Sequence, residues 1–371
     1  MTIREDAVPD FTHVPCRMPT SDAARAEVLA NPGFGTSFSD HMVTIEWKEE
    51  RGWHDAKVGP RQPIMLDPAA AVLHYAQEIF EGLKVYKQVD GSTALFRPDA
   101  NAARFNRSAA RLAMPELPEA LFVKAIEQLV NVDIDWVPSL EGGSLYLRPF
   151  LIATEPFLGV RPARQYKFIV IASPAGNYFK SGAPAISVWV SDYARAAAGG
   201  TGAAKCGGNY AASLVPQGEA IARGHDQVVF LDAAEQRWIE ELGGMNLFFV
   251  FADGTMLTPA LTGTILAGIT RESLLTLARE EGLNVVEGRY GIDKWREDAL
   301  SGKLVETFAC GTAAVVTAVG HVAGRDGEFA VGAGMPGPVT ERLKARLVAI
   351  QRGEAIDRHA WVHRIAGPRS Q

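Results

Sequence analysis

A short polar segment near the middle of the chain divides the sequence into two halves. The segment is "PAGNYFKSGAP", residues 174–184, and it interrupts two strong β-strand patterns, "YKFIVIAS" (166–173) and "AISVWVSDYA" (185–194). Glycine and proline punctuate the segment, which is typical of a loop. With 371 residues the chain has the length of roughly two domains. We therefore predict a smaller N-terminal α/β domain over 1–173, an interdomain loop over 174–184 and a larger C-terminal α/β domain over 185–371.

The first half contains a hairpin and two helices. In "GLKVYKQVDGSTALF" (82–96) an Asp-Gly pair separates two strand-like runs, which is a strong hairpin signal. Asp99 is expected to cap the helix "DANAARFNRSAARLAM", and Pro118 is expected to open the helix "PEALFVKAIEQLVNVDIDWV". Other strands are expected at "HMVTIEW" (41–47) and "GSLYLRPFLIATE" (143–155). These patterns predict mixed strand and helix.

The second half has many short strands and no regular strand-helix-strand alternation. This pattern favours a mixed α/β or α+β class over a doubly wound parallel sheet. The expected helices are "NYAASLVPQGEAIARG" (209–224), "TRESLLTLAREEG" (270–282) and the C-terminal "PVTERLKARLVAIQRG" (338–353).

Charge and cysteine usage limit the partners of the chain. The formal net charge is −6, with 37 Lys and Arg against 43 Asp and Glu, so no basic excess attracts nucleic acid or an anionic membrane. Cys16, Cys206 and Cys310 are too few and too scattered for a disulfide framework. The N-terminal sequence lacks a signal-peptide pattern, and no apolar run approaches the roughly 18 residues of a membrane span. We predict a cytoplasmic protein that acts on small molecules.

Three motifs that suggest other functions do not meet their requirements. "GAGMPG" (332–337) has the spacing of a dinucleotide-binding loop, but no room remains after it for a second parallel strand. Ala204 and Cys206 stand where a phosphate-binding P-loop needs Gly and Ser or Thr. His359 and His363 lack a carboxylate or thiol partner in sequence, so no metal site is proposed.

One lysine occupies an unusual position. Lys205 lies within "GGTGAAKCGGNY" (199–210), among five glycines and two alanines. A lysine on a solvated face normally packs its stem on apolar neighbours, and these neighbours offer nothing to pack on. Small residues instead leave space for a bulky planar group bonded to the amine, and pyridoxal phosphate is the candidate. Such a site also needs a phosphate anchor, a carboxylate for the pyridine nitrogen and a donor to the phenolic oxygen.

Several separate motifs resemble, in the same order, those of the branched-chain amino-acid aminotransferases, which are fold-type IV pyridoxal-phosphate enzymes. The resemblance covers most of the chain. It implies a two-domain fold with the active site at the domain interface, and a homodimer. The matching motifs are "FEGLKVY", "NAARFNRSAARL", "LYLRP", "KCGGNY", "EELGGMN" (240–246), "LTGTILAGITRESLL" (261–275) and "CGTAA" (310–314).

The resemblance assigns cofactor roles to seven residues. Lys205 is the implied Schiff-base lysine and catalytic residue, Glu241 the partner of the pyridine nitrogen, and Tyr210 the donor to the phenolic oxygen. Oriented amides and a fixed guanidinium suit a phosphate dianion. The implied phosphate ligands are Arg104, the backbone N–H groups of Thr264 and Ile265, and the Thr312 hydroxyl.

The resemblance also assigns substrate-binding residues. The implied side-chain pocket consists of Tyr75, Phe80 and Tyr146, while Thr312 and Ala313 present N–H groups to the α-carboxylate. Leu158 and Val160 match positions that reach into the neighbouring subunit's site.

One further substrate residue follows from strand alternation. In "SLYLRPF" that alternation places Tyr146 and Arg148 on one face, so the arginine is expected to line the same pocket. There it would pair with the distal carboxylate of glutamate.

The implied activity is reversible ping-pong transfer of an amino group between L-leucine, L-isoleucine or L-valine and 2-oxoglutarate. Three alternatives stay open: a D-amino-acid aminotransferase, an aminodeoxychorismate lyase, and a non-catalytic pyridoxal-phosphate carrier or structural oligomer. The sequence does not rank the three branched-chain substrates or decide whether aromatic substrates are accepted. It also leaves open the biosynthetic or degradative direction and any assembly beyond a dimer.

Overall fold

The computed structural model describes residues 9–176 and 184–365, which form two compact units. Residues 9–176 and 350–365 belong to the first unit, and residues 184–349 belong to the second. Most of the predicted interdomain loop, residues 177–183, lies outside the described residues.

The first unit is built on one sheet with helices, and the strands pair antiparallel except for β1 and β3, which pair in parallel. The strands are β1 (Thr12–His13), β2 (His41–Lys48), β3 (Gly52–Pro60), β4 (Glu78–Phe80), β5 (Leu83–Lys87), β6 (Thr93–Phe96), β7 (Ser144–Ala153) and β8 (Gln165–Ala175). The helices are α1 (Asp22–Ala30), α2 (Ala71–Tyr75), α3 (Pro98–Arg111) and α4 (Glu119–Val132), followed by a short 3-10 helix (Ile134–Trp136).

The order of strands in this sheet is β1-β3-β2-β8-β7-β5-β6, with β4 paired to β7. Strand β7 alternates in its first half: Leu145 and Leu147 are fully buried, whereas Tyr146 and Arg148 are only half-buried. Phe105 of α3 and Phe122 of α4 pack on Phe168 of β8, with ring centroids 5.6 and 5.9 Å apart. One face of the sheet therefore carries the helices and the core, and the half-buried residues of β7 lie on the other.

The predicted hairpin is confirmed, whereas of the two predicted helix starts, at Asp99 and Pro118, only the second is correct. Strands β5 and β6 pair antiparallel across a turn in which Gly91 has a φ of 81°. Helix α3 begins at Pro98 with Arg97 as its N-cap, so the prediction that Asp99 caps this helix was wrong. Proline is well suited to the first helical position, which moves the cap to the residue before it and places Asp99 in the first turn. Pro118 is the N-cap of α4, as the sequence indicated.

The second unit also combines one large sheet with helices. Its strands are β9 (Ala185–Val190), β10 (Gln227–Leu231), β11 (Ile239–Leu242), β12 (Met245–Phe251), β13 (Thr255–Pro259), β14 (Asn284–Gly288), β15 (Leu304–Gly311), β16 (Val315–Gly324) and β17 (Gly327–Ala330). Its helices are α5 (Gly207–Ala211), α6 (Leu214–Ala222), α7 (Ile269–Glu280), α8 (Ile292–Leu300) and α9 (Pro338–Gln351), so the predicted helix over 209–224 is divided in two.

This second sheet closes on itself. Its strand order is β11-β10-β9-β16-β15-β12-β13-β14, and β11 also pairs with β12, which completes a ring of six strands. Phe249 of β12 packs against Tyr290 and Trp295, with ring centroids 4.7 and 5.2 Å away. Closure leaves β11 with a neighbour on each side, which removes it from the exposed edge.

The last described strand returns to the first unit. Strand β18 (Val362–Arg364) pairs antiparallel with β6, matching Val362 to Phe96, and Arg97 N donates to Trp361 O. Residues 350–365, which the sequence assigned to the C-terminal domain, group with the first unit instead. "HAWVH" was too short a β pattern to predict this strand. Among the described helices, none combines the length and apolar character needed to cross a membrane.

Candidate active site

Lys205 stands on a turn that is tied to the following helix. Asn209 of α5 donates from Nδ2 to the carbonyl oxygens of Thr201 and Ala204, each at 2.8 Å, and accepts from the Thr201 hydroxyl at 2.7 Å. These bonds hold the backbone immediately before the lysine. Lys205 Nζ donates to the hydroxyl of Tyr210 at 2.8 Å. The lysine and this tyrosine, both predicted site residues, are thus in direct contact.

Tyr210 packs on the turn that joins β11 and β12. A Cβ atom on Gly244 would lie 3.2 Å from Tyr210 Cε1, so glycine allows the ring to approach the turn closely. Glu241 lies on the same hairpin and pairs with Asn246. Burial raises the pKa of the Glu241 carboxyl, and the charge of Lys205 is one of the effects that oppose this rise. Lys205, Tyr210 and Glu241 are therefore neighbours within the second unit.

Glu241 forms a buried ion pair with Arg195. Arg195 Nε lies 3.1 Å from Glu241 Oε2, and the two residues are only 8% and 2% exposed. Glu241 Oε1 accepts a hydrogen bond from Leu266 N. Burial raises the pKa of Glu241 to about 7, although Arg195, the Leu266 N–H and Lys205 oppose that rise. A cation beside Glu241, such as a protonated ring nitrogen, would therefore stabilise the ionised carboxylate.

The loop over 262–266 offers two unused backbone donors. Within the described residues, Thr264 N and Ile265 N make no hydrogen bond, whereas Leu266 N is held by Glu241. Consecutive open N–H groups form a concave site for an anion. The predicted role of both residues as phosphate ligands stays a prediction.

Three neighbours fix this loop in place. Arg195 Nη2 donates to Thr264 O at 2.7 Å, and Asn246 Nδ2 donates to Leu266 O at 3.0 Å. A Cβ atom on Gly202 would lie 2.5 Å from Thr264 O, so this glycine of the lysine motif allows close backbone approach. The glycines around Lys205 therefore serve partly to admit the 262–266 loop.

The turn between β15 and β16 carries the other predicted anion ligands of this unit. Asn246 of β12 pairs with Cys310 of β15, so Thr312 and Ala313 follow at the same end of these strands. The Thr312 hydroxyl has no hydrogen-bond partner within the part of the chain that the structure describes. Its predicted role and that of Ala313 stay predictions.

The first unit contains a cluster of aromatic residues around one arginine. Tyr146 and Arg148 share the half-buried face of β7, as alternation predicted, and Arg148 Nη2 donates to Tyr146 OH at 3.2 Å. The Arg148 guanidinium lies over the Phe80 ring, 4.7 Å from its centroid, and Phe34 meets Tyr146 edge-on at 5.1 Å. A Cβ atom on Gly82 would lie 2.1 Å from Tyr146 OH, which explains the glycine there. Arg148 Nε is buried without a partner among the described residues, so an anion would satisfy it.

Arg104 makes a bidentate ion pair inside the first unit. Its Nε donates to Glu81 Oε1 at 2.7 Å and its Nη2 donates to Glu81 Oε2 at 2.8 Å. Asn101 Nδ2 donates to the same carboxylate at 2.7 Å. Glu81 therefore orients the guanidinium, and the predicted phosphate role of Arg104 stays a prediction.

Tyr75, Leu158 and Val160 lie at an exposed surface of the first unit. The Tyr75 hydroxyl donates to Leu158 O, and the three residues are 40%, 63% and 89% exposed, respectively. Tyr75 is thus grouped with the residues expected to reach a neighbouring subunit. Phe80 and Tyr146 belong to the separate cluster around Arg148.

Sequence reasoning missed four residues that organise these sites. Arg195 and Asn209 hold the lysine turn and Glu241, Glu81 orients Arg104, and Phe34 packs on Tyr146. "SDYARAAAGG" shows only a lone arginine, and its partners come from residues 202, 241 and 264. Asn209 lies within "KCGGNY" and Glu81 within "FEGLKVY". Their positions in these motifs could have indicated that both residues belong to the site. The described residues contain no group of three or more His, Cys, Asp or Glu suited to a metal ion.

Comparisons with known proteins agree with this arrangement. Residues 78–322 match the family described as Amino-transferase class IV, whose members use pyridoxal phosphate. The chain is 57% identical over 354 residues to the probable branched-chain-amino-acid aminotransferase of Streptomyces coelicolor, covering 95% of this chain and 98% of that protein.

Solved structures show the same fold. The Escherichia coli branched-chain amino acid aminotransferase matches with a TM-score of 0.73 at 29% identity, over 87% of this chain and 99% of that one. A T.th. branched-chain amino acid aminotransferase complexed with N-(5'-phosphopyridoxyl)-L-glutamate matches with a TM-score of 0.70 at 28% identity, over 87% and 98% of the two chains. With its lysine, buried carboxylate and open backbone donors in place, the chain belongs to the class IV aminotransferases, among the branched-chain-amino-acid aminotransferases of that family.

Proposed function

We propose that this protein is a pyridoxal-phosphate-dependent transaminase that exchanges an amino group between branched-chain L-amino acids and 2-oxoglutarate. The observation that carries the proposal is the grouping of Lys205, Tyr210 and Glu241 around one hairpin of the second unit. When bound, the cofactor supplies an electron sink that makes the Cα–H bond of an amino acid acidic. The residues of this chain would then hold the cofactor and move the proton.

Each residue of this group has a separate task. Lys205 Nζ takes the proton from the substrate Cα, and the Tyr210 hydroxyl positions that amine. Glu241, kept in place by Arg195 and Leu266 N, holds a proton on the pyridine nitrogen. Thr264 N and Ile265 N receive the phosphate, with Thr312 and Arg104 as the other predicted phosphate ligands. Because the first 2-oxo acid leaves before the second one binds, ping-pong kinetics are expected.

The first unit supports the choice of substrates. Phe34, Phe80 and Tyr146 supply aromatic surface that suits an aliphatic side chain, and Arg148 supplies a cation beside it. A purely apolar pocket would leave the distal carboxylate of glutamate desolvated and unpaired. The T.th. relative was solved with a phosphopyridoxyl-glutamate adduct, which supports glutamate as the second substrate here. We assign its distal carboxylate to Arg148.

A homodimer is part of the proposal. Leu158 and Val160 carry exposed apolar side chains, and the Leu158 backbone accepts from the Tyr75 hydroxyl, so this surface suits contact with a second copy of the chain. Replacing Leu158 by aspartate should lower the solution mass to that of one chain, whereas Val89→Asp, at a comparably exposed site, should not. Unchanged mass in Leu158→Asp would argue against this surface. A cytoplasmic location remains a prediction.

Single-turnover half-reactions test the function directly. Protein loaded with pyridoxal phosphate is mixed with one amino acid at a time, and loss of the cofactor's absorption band is followed. L-leucine, L-isoleucine, L-valine and L-glutamate should each react, and D-alanine should not. Reaction with D-alanine alone would favour a D-amino-acid aminotransferase. Cofactor binding without any half-reaction would favour a carrier.

A further inference from the structure

A cavity of the second unit lies on the face of β11 opposite Glu241. Its volume is about 510 Å³, and Glu240 belongs to its wall. Glu240 and Glu241 are neighbours on one strand, and alternation sends neighbouring side chains to opposite faces. The wall does not include Lys205, Tyr210 or Glu241. The cavity is therefore separate from the group of residues around Lys205.

Two residues of the wall each have a buried polar atom without a hydrogen-bond partner. Glu240 is 7% exposed, and its Oε1 accepts from the Thr264 hydroxyl at 2.5 Å, but its Oε2 has no partner among the described residues. Trp238 Nε1 likewise has none in the part of the chain that the structure describes. Native structures rarely leave buried polar atoms unsatisfied, so both atoms point to a partner from outside the chain. That partner has to offer a donor to Glu240 and an acceptor to Trp238.

The two other carboxylates of the wall already have partners. Asp232 accepts from four backbone N–H groups of the turn that follows it. Glu235 lies 3.9 Å from Arg289. Burial raises the pKa of Glu240, so a cationic group beside Oε2 would stabilise the ionised carboxylate. Glu240 is therefore the carboxylate of this wall that suits a cationic ligand.

An organic ammonium group suits this carboxylate better than a metal ion does. Within the described residues, no group of three or more His, Cys, Asp or Glu is suited to a metal. Much of the remaining wall is apolar, including Ala197, Ala198, Ile239, Pro259 and Ala260. Small-molecule sites commonly combine such apolar surface with a few polar groups that fix the ligand's orientation. The wall thus favours an ammonium group attached to an aliphatic chain.

Arg289 supplies the opposite charge on the same wall. Its side chain is 63% exposed, and its guanidinium lies 5.5 Å from the centroid of the Trp238 ring. Arg237 lies over the same ring at 4.9 Å. A carboxylate beside Trp238 would accept a hydrogen bond from Nε1 and would be attracted by both guanidinium groups.

We propose that this cavity binds a free aliphatic α-amino acid, with its ammonium group on Glu240, its carboxylate on Trp238 and Arg289, and its side chain against the apolar wall. Trp238 and Glu240 are two residues apart in extended backbone, so they lie on one side of it at a spacing of roughly 7 Å. A ligand that carries both charges on one carbon can reach both residues. The inference does not rest on the proposed function, because it needs neither Lys205 nor the cofactor.

Equilibrium dialysis with radiolabelled L-leucine tests the proposal. The protein is first reduced with borohydride in the presence of pyridoxal phosphate, so that transamination does not consume the leucine. The wild type should bind L-leucine, and Glu240→Gln and Arg289→Gln should each weaken that binding by roughly tenfold, as expected for a lost contact between charged groups. Arg289 is exposed, so its replacement tests the site without disturbing the core. Thermal unfolding verifies that both variants are folded.

Two analogues of leucine separate the contributions of its charges. 3-Methylbutylamine lacks the carboxylate, and 4-methylpentanoate lacks the ammonium group. Each should compete with labelled L-leucine at least about tenfold more weakly than unlabelled L-leucine does. Arg325→Gln removes an exposed arginine that does not line the cavity and is the matched control, which should bind as the wild type does.

Three results would overturn the inference. The first is no binding of L-leucine by the wild type, which would mean that the cavity holds only water. The second is wild-type affinity in both Glu240→Gln and Arg289→Gln, which would place the leucine elsewhere. The third is a loss in Glu240→Gln alone, which would mean that this substitution acts through the adjacent Glu241. Failure of borohydride to attach the cofactor would count against the proposed function only, because the dialysis is then interpreted in the same way.

Discussion

The amine of Lys205 and the hydroxyl of Tyr210 lie 2.8 Å apart, although one belongs to a turn and the other to the helix that follows it. Asn209 ties that helix back to the turn, so the distance is set by backbone structure on both sides. The amine is therefore held in place before any ligand arrives.

Replacing Lys205 by alanine should abolish transamination and leave the protein folded, because its neighbours are small residues that contribute little packing. In the wild type with pyridoxal phosphate, borohydride should attach the cofactor at Lys205, as peptide mass spectrometry would reveal. Lys84 is the main competing lysine, because burial lowers its pKa to about 8 and favours the neutral amine. An adduct on Lys84 would overturn the assignment.

Glu241→Gln should keep the cofactor but lose most of the rate, by about 10²-fold or more, because a neutral amide does not keep the pyridine nitrogen protonated. The half-reaction with L-leucine measures the loss. The Glu235→Gln variant, which changes an exposed carboxylate, serves as the control and should react at the wild-type rate. A wild-type rate in Glu241→Gln would exclude Glu241 as the partner of the ring.

The stability of the apoprotein should depend on pH through Glu241. Its pKa is 4.5 in the unfolded chain and about 7 in the folded one, so the folded state binds more protons in between. Stability from this group is complete below pH 4.5 and is lost as pH rises through 7, by up to about 3 kcal/mol. Urea unfolding at pH 5 and pH 8 should show this loss in the wild type and not in Glu241→Gln. Parallel curves for the two proteins would contradict it.

Gly202→Ala should weaken binding of pyridoxal phosphate by roughly tenfold, because the added methyl group would lie 2.5 Å from Thr264 O and push the 262–266 loop away. Gly208→Ala is the matched control, since a Cβ atom there meets nothing within 4 Å. Titration of the two apoproteins with the cofactor tests the difference. Equal affinities of the two variants would mean that a shift of the 262–266 loop does not affect cofactor binding.

Arg148→Leu should impair the half-reactions of glutamate and 2-oxoglutarate more than that of leucine, by about 2 to 4 kcal/mol, as for loss of one partner of a buried charge pair. Arg164→Leu, which removes an exposed arginine of the same unit, should affect neither. Equal impairment with both substrates would indicate a structural role for Arg148. No impairment with glutamate would remove Arg148 from the site.

Local patterns predicted the parts of this site that lie close together in sequence. Lys205 and Tyr210 are five residues apart, and strand alternation was sufficient to place Tyr146 and Arg148 on one face. The Asp-Gly hairpin was likewise predictable because its two strands are adjacent in the chain.

Partners from distant segments could not be predicted in this way. Arg195 contacts Glu241 and Thr264, which lie 46 and 69 residues later in the chain, only in the folded structure. The sequence around this arginine does not indicate which residues will be its partners. Strand β18 has three residues, too few for a periodic signal, and its partner β6 lies in the first hundred residues of the chain. Such long-range pairings depend on tertiary structure, which overrides local preference.

The return of β18 to β6 has a consequence for synthesis of the protein. The ribosome completes every described strand of the second unit before it makes Val362, so the sheet of the first unit waits for its last strand with the β6 edge unpaired. An unpaired edge is a template for association with other chains. Nascent chains that stall shortly after residue 351 should therefore associate more readily than completed ones, even though the strands of their second unit are already made.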